Sequence, residues 1–155
     1  MLGDPDGSEC GQVAALPWRQ DADGKVRLLL VTSRTNAKWM LPKGWPMEGK
    51  TAAEAALVEA NEEAGIDGEV SEAPIGSYRY LKLFDEGRSL PAKAVNYPVA
   101  VTTEMKNWDE KGQRSRRWFR PRRAAQMAFE PDLKRFLANL SDDTLVKIAR
   151  RYRAT

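Results

Sequence analysis

The sequence predicts a single α/β (α+β) domain, a mixed sheet covered by helices. Three observations predict it. Strand-like runs stand on both sides of one sharply bounded helix, two helical repeats close the chain, and 155 residues at 42% hydrophobic content supply one core and little more. The expected organisation is a flexible leader over residues 1–9 followed by one domain over 10–155.

The leader is polar and rich in Gly, Pro and Asp. GQVAALPWRQ and KVRLLLVTSR then read as two strands joined at DADG by a hairpin-type connection. The second is continuously apolar, so both of its faces are expected to be covered. The turn-rich LPKGWPMEGK leads into a helix from Ala52 to Ala64, because Thr51 and Glu54 make a T-x-x-E capping box and Gly65 stands where a C-cap glycine belongs. SEAPIGSYRYLKLFD and AKAVNYPVAVTTEM read as strands and RSRRWFRP as a further short one, with the Pro-interrupted pieces expected at edges or bulges. Leu133, Phe136, Leu137 and Leu140 keep helical spacing, and Leu145, Ile148, Ala149 and Tyr152 repeat it behind a Ser141 cap.

Composition excludes several chemistries. The chain has no histidine, which removes Ser-His-Asp and Cys-His nucleophilic mechanisms and leaves carboxylates, metals, lysine and arginine. Its single cysteine forms no intramolecular disulfide, and no Cys/His cluster provides a structural zinc site, so a reducing, cytoplasmic setting is expected. Cys10 reads as an incidental thiol of the leader, with no base or dipole to activate it. No run of about 18 apolar residues is present and the first ten residues lack a secretory pattern, so no membrane partner is expected. Net charge is +3, but residues 111–123, KGQRSRRWFRPRR, carry seven cations and no anion. That run points to a polyanionic partner.

The most informative stretch is GWPMEGKTAAEAALVEANEEAGI, residues 44–66. On its helix Glu59, Glu62 and Glu63 stand at i, i+3 and i+4, with β-carbons about 5–6 Å apart. No lysine or arginine lies three or four residues from any of them in a chain with 25 such residues. Like charges at that spacing cost a few tenths of a kcal/mol per pair. A solvated acidic face is the plain explanation, and a hard divalent cation held by clustered carboxylate oxygens is the functional one.

Gly44, Glu59, Glu62, Glu63, Gly65 and Ile66 resemble the Nudix box, G-x5-E-x7-R-E-U-x-E-E-x-G-U with U apolar, in register across all 23 positions and with Ala60 as a small U. Two positions depart from it. Lys50 stands where the family has its first Glu, and Val58 where it has an Arg that helps orient a catalytic carboxylate. LPKG ahead of the box and NWDEKGQRSRRWFRP after it resemble the branch that cleaves diadenosine polyphosphates and diphosphoinositol polyphosphates.

The resemblance implies a Nudix-like α/β/α sandwich whose mixed sheet carries the loop-helix-loop of the box. It implies a diphosphate hydrolase using Mg2+, with Mn2+ as the alternative, held by Glu59 and Glu63 with Glu62 and the Gly44 carbonyl assisting. Lys43 is expected to reach a substrate phosphate, and Arg34, Arg116, Arg117 and Arg120 to clamp others. The general base is left among Glu62, Glu63, Glu86, Glu104 and Glu110. Trp39, Trp45 or Tyr97 is expected to stack on a base if the substrate is a nucleotide. The expected partner is a phosphorylated small molecule, not nucleic acid, since no RNP-like or KH-type pattern is present. The oligomeric state is left open. A competing expectation, favoured by Lys50 and Val58, is a weakened module of the same fold that binds a phosphorylated ligand or RNA without turning it over.

Overall fold

The computed structural model describes residues 9–141, 143–145 and 147–148. All of the expected leader but Glu9 lies outside the described residues, as do Ala149 and Tyr152 of the last helical repeat. The described elements are β1 (Cys10–Gln20), β2 (Val26–Thr32), β3 (Trp39–Met40), β4 (Lys43–Gly44), α1 (Ala52–Ala64), β5 (Ile66–Val70), β6 (Ser77–Leu83), β7 (Ser89–Glu104), β8 (Arg116–Phe119), α2 (Pro121–Met127) and α3 (Pro131–Ala138).

Eight strands form one mixed sheet in the order β3-β2-β1-β7-β5, with β4 added to β1, β6 to β7 and β8 to β2. β1 and β7 pair in parallel from Cys10 opposite Ala92 to Trp18 opposite Ala100. Every other pairing is antiparallel. The continuous apolar run of β2 is covered on both faces, as its composition predicts. Val26, Leu28 and Leu30 join the core under α2 and α3, while Leu29 and Val31 join the core under α1. Alanines Ala53, Ala56, Ala60 and Ala64 line the buried side of α1, so the helix comes close to Ala15 and Val99 of the sheet while keeping the strongest helix-forming residue type.

Two expectations need correction. The strand with Pro91 and Pro98 is not an edge: β7 is central, with β1 on one side and β6 and β5 on the other. Pro98 is tolerated because β7 changes partners there, whereas Pro91 lies opposite Leu81 of β6, one residue ahead of the first β7 residue paired with β1. The pairing of β7 with β6 ends at Val95 opposite Ser77, that with β5 begins at Val99 opposite Val70, and Pro98 in between contributes only its carbonyl, to the Ser71 N–H. Pro17 sits likewise between the β1 residues that meet β4 and those that meet β2. Cys10 is not part of a leader either. It opens β1, 2% exposed, where it is shielded from reagents.

Candidate active site

Both ends of α1 are closed by named donors. At the start, the Glu54 N–H donates to Thr51 Oγ1 at 3.1 Å and the Thr51 N–H donates to Glu54 Oε1 at 2.7 Å, the reciprocal box that the sequence predicts. At the end, Gly65 adopts the left-handed conformation (φ 64°) and its N–H donates to Asn61 O. The next four carbonyls are taken by the connector between β7 and β8 and by the first residue of β8. Glu62 O accepts from the Glu110 N–H, Glu63 O from the Trp108 indole, Ala64 O from Arg116 Nη1, and Gly65 O from both Arg116 Nη1 and the Met105 N–H. The Arg116 guanidinium lies 4.0 Å from the centre of a Trp108 ring, so one stacked pair closes the negative end of the helix dipole.

This closure brings new carboxylates to the trio. Oxygens of Glu62, Asp109 and Glu110 lie within 4.8 Å of one another. Glu59 lies against Gly44, and Glu63 reaches the same place from the next turn, its Oε1 facing the Lys43 N–H at 3.4 Å. Glu63 is 5% exposed. Burial pushes its pKa up to about 8, and a hydrogen bond to the Glu59 carboxyl adds to the rise. Burial likewise raises Glu59, with the Glu62 and Glu110 charges adding to it. Glu62, Asp109 and Glu110, whose oxygens converge, and Glu59 with Glu63 beside the Gly44 backbone, whose charge the fold opposes, are hard oxygen donors of the kind that suits a small divalent cation.

The predicted cations are dispersed. The Lys43 ammonium is buried against Glu130 at 3.5 Å and lies 4.6 Å from the Tyr80 ring centre, and burial lowers its pKa. Arg116, expected as a phosphate clamp, is engaged with three main-chain carbonyls, the third being Met105 O. Arg117 is exposed beside Phe119, Arg120 reaches Val26 O at 3.5 Å, and Arg34 is exposed in the β2–β3 turn. Strand alternation along β8 and the turn into α2 divide the run 111–123 between different sides of the sheet, so it makes no single basic face. Of the aromatic candidates, Tyr97 is buried under α1 and Trp39 meets Phe119 edge-on at 5.3 Å, while Trp45 stays half-buried beside Lys82. Glu86 pairs with Arg88 and Glu104 with Arg19, and of the three later carboxylates considered as bases Glu110 is the one that reaches the trio.

Sequence reasoning missed Asp109, Trp108, Glu130 and Arg114. Arg114 sends Nη2 to within 3.7 Å of Glu63 Oε2, Nε to Glu110 Oε1 at 2.8 Å and Nη1 to Thr32 O at 3.0 Å. The acids of WDE were visible as a pair next to a basic run, but nothing local marked which arginine would turn inward.

Comparison with known proteins gives consistent matches. The NUDIX domain profile matches residues 12–140. Nudix hydrolase 12, mitochondrial, from Arabidopsis thaliana is 30% identical over 130 residues, covering 79% of this chain and 64% of that protein. The human diphosphoinositol polyphosphate phosphohydrolase 3-beta is 28% identical over 119 residues, covering 76% and 67%. The chain thus spans about two-thirds of the length of these relatives. Among solved structures, a binary complex of a C. elegans Ap4A hydrolase superposes with a TM-score of 0.62 at 21% identity, over 83% of this chain and 92% of that one, which is a likeness of fold.

Proposed function

The chain belongs to the Nudix family, and from that premise we propose that it is a metal-dependent hydrolase of a phosphoanhydride linkage in a highly phosphorylated small molecule. Diadenosine polyphosphates and diphosphoinositol polyphosphates are the substrate classes, in line with the Ap4A hydrolase and the diphosphoinositol phosphohydrolase it resembles. The observation that carries this reading is a pair of adjoining carboxylate groups, Glu59 with Glu63 beside the Gly44 backbone and Glu62 with Asp109 and Glu110 of the β7–β8 connector, the charges of Glu62 and Glu110 being felt at Glu59.

A divalent cation, Mg2+ or Mn2+, held by these oxygens would supply charge neutralisation at the phosphoryl group and a more acidic water. The residues of the chain account for the rest. Glu59, Glu63 and the Gly44 carbonyl would hold the cation, with Glu62 and Asp109 assisting. Glu110, beside Glu62 and oriented by Arg114, accepts the proton as water adds to phosphorus and the bridging P–O bond breaks, the displaced phosphate leaving as the anion. Arg34, Arg117 and Arg120 are the arginines proposed to meet substrate phosphates, and Trp45 offers the aromatic face that an adenosine would use and an inositol ring would not. Residues 10–155 are assigned to one domain acting in the cytoplasm. No helix of the described residues is long and apolar enough to cross a membrane.

The test is product release from a panel of diadenosine polyphosphates, diphosphoinositol polyphosphates, nucleoside triphosphates, ADP-ribose and nucleotide sugars, with Mg2+ or with EDTA. Cleavage of one class that stops in EDTA supports the reading and names the substrate. Tight binding without turnover across the panel supports the weakened module that Lys50 and Val58 suggest.

A further inference from the structure

Glu63 carries the largest burden in the site. It is buried, its carboxyl touches that of Glu59, and no cation of its own helix reaches it. The position five residues back that would carry the arginine of the box is Val58. The guanidinium that faces Glu63 instead comes from residue 114, more than fifty positions along the chain.

Arg114 is held tightly enough to fix what it touches. Its side chain is 8% exposed. Nε donates to Glu110 Oε1 at 2.8 Å and Nη1 to Thr32 O at 3.0 Å, and the neighbouring Ser115 exchanges two hydrogen bonds with Thr32, its N–H to Oγ1 at 2.8 Å and its carbonyl from the Thr32 N–H at 3.0 Å. The arginine is thus anchored to the end of β2 on one side and to the acidic connector on the other. The remaining nitrogen, Nη2, stands 3.7 Å from Glu63 Oε2, while the Lys43 N–H faces Oε1. A planar fork with five N–H groups can serve three acceptors at once, which an ammonium on a flexible stem cannot.

We infer that Arg114 is the positioning residue of this site, aligning Glu63 and Glu110 together and taking from the β7–β8 connector the place left by Val58. The inference rests on the metal-dependent hydrolase reading for its kinetic consequence, but its structural content is the alignment of ligands. Groups that orient metal-binding carboxylates without touching the metal typically change affinity or activity about 10–100-fold when removed.

The experiment compares wild type, Arg114→Met and Arg114→Lys, each also with Glu63→Gln, in two assays. One is Mn2+ binding to the protein without substrate, followed by the EPR signal of free Mn2+. The other is kcat and KM on the substrate the panel identifies. Arg114→Met is expected to weaken Mn2+ binding about 10-fold and lower kcat about 10–100-fold, with KM within about 3-fold. Arg114→Lys, which keeps the charge and loses the fork, is expected in between, and it carries the test if the methionine variant does not fold. In the Glu63→Gln background Arg114→Met should cost less Mn2+ affinity than it does in the wild type, because the part of its effect that passes through Glu63 is already gone. Wild-type Mn2+ affinity and kcat in Arg114→Met, or a full additive loss in the Glu63→Gln background, overturns the inference while leaving the hydrolase reading intact. A wild-type protein that cleaves no panel member, yet loses Mn2+ affinity through Glu63 in Arg114→Met, overturns the hydrolase reading and upholds the alignment. A wild-type protein that binds no Mn2+ overturns both.

Discussion

Glu59 lies so close to the backbone of Gly44 that a β-carbon at position 44 would stand 2.8 Å from Glu59 Oε2 and closer still to Cδ and Oε1. Gly44 does not have a positive φ, so what the position demands is the missing side chain and not an unusual backbone. Gly44→Ala is therefore expected to displace Glu59 and lower Mn2+ affinity and kcat by about 10-fold or more, with thermal stability near wild type. Paired binding and melting measurements check it, and unchanged affinity would mean that Glu59 is not a ligand.

Glu63→Gln keeps the shape of the side chain and removes its charge. Turnover is expected to fall by about 100-fold or more while the fold persists, since the amide still accepts from the Lys43 N–H. Circular dichroism and single-turnover kinetics separate the two, and near-normal turnover would remove Glu63 from the site.

Arg116→Gln tests the helix closure. Loss of the guanidinium leaves Ala64 O and Met105 O without their donor and is expected to cost about 2 kcal/mol in denaturant unfolding. An arginine that clamped phosphate would raise KM and leave stability alone.

Lys43→Met uncouples a buried ion pair. Glu130 loses the ammonium that faces it at 3.5 Å in a largely enclosed place, so a loss of about 3 kcal/mol is expected, partly recovered when Glu130→Gln is added. A rise in KM at unchanged stability would return the ammonium to the substrate.

Asp132 ties α3 to β6 by accepting the Arg79 N–H at 2.6 Å, and that hydrogen bond together with Arg135 holds its pKa below the ordinary aspartate value. A folded pKa below the unfolded one means that the unfolded chain takes up the proton first. The stabilisation is present above the unfolded pKa and is lost as pH falls through the folded one. Asp132→Asn should flatten the acid side of the melting-temperature profile below about pH 4 and leave its neutral side little changed in slope.

What the sequence disclosed is what local chemistry encodes. The ends of α1 were legible from Thr51, Glu54 and Gly65 because a cap is written within four residues, and the acidic trio from its spacing on that helix. α2 was hidden inside an arginine-rich run, although Pro121 at its first position marks a helix start, and β5 follows α1 without a turn residue beyond Gly65. The basic run points to a polyanion because charge shows in a sequence and acceptors do not. Arg114 and Arg116 turn inward only once the connector folds back onto carbonyls and carboxylates some fifty residues earlier in the chain.

That folding back also sets an order of assembly. The first turns of α1 close on neighbours in sequence, whereas its last carbonyls wait for Met105, Trp108, Glu110 and Arg116. Such distant closures carry the larger entropic cost and come after the local ones. The ligand cluster is therefore a product of the completed chain, and pulsed amide exchange should show the Met105 and Glu110 N–H groups, which donate to Gly65 O and Glu62 O, gaining protection only together with β8.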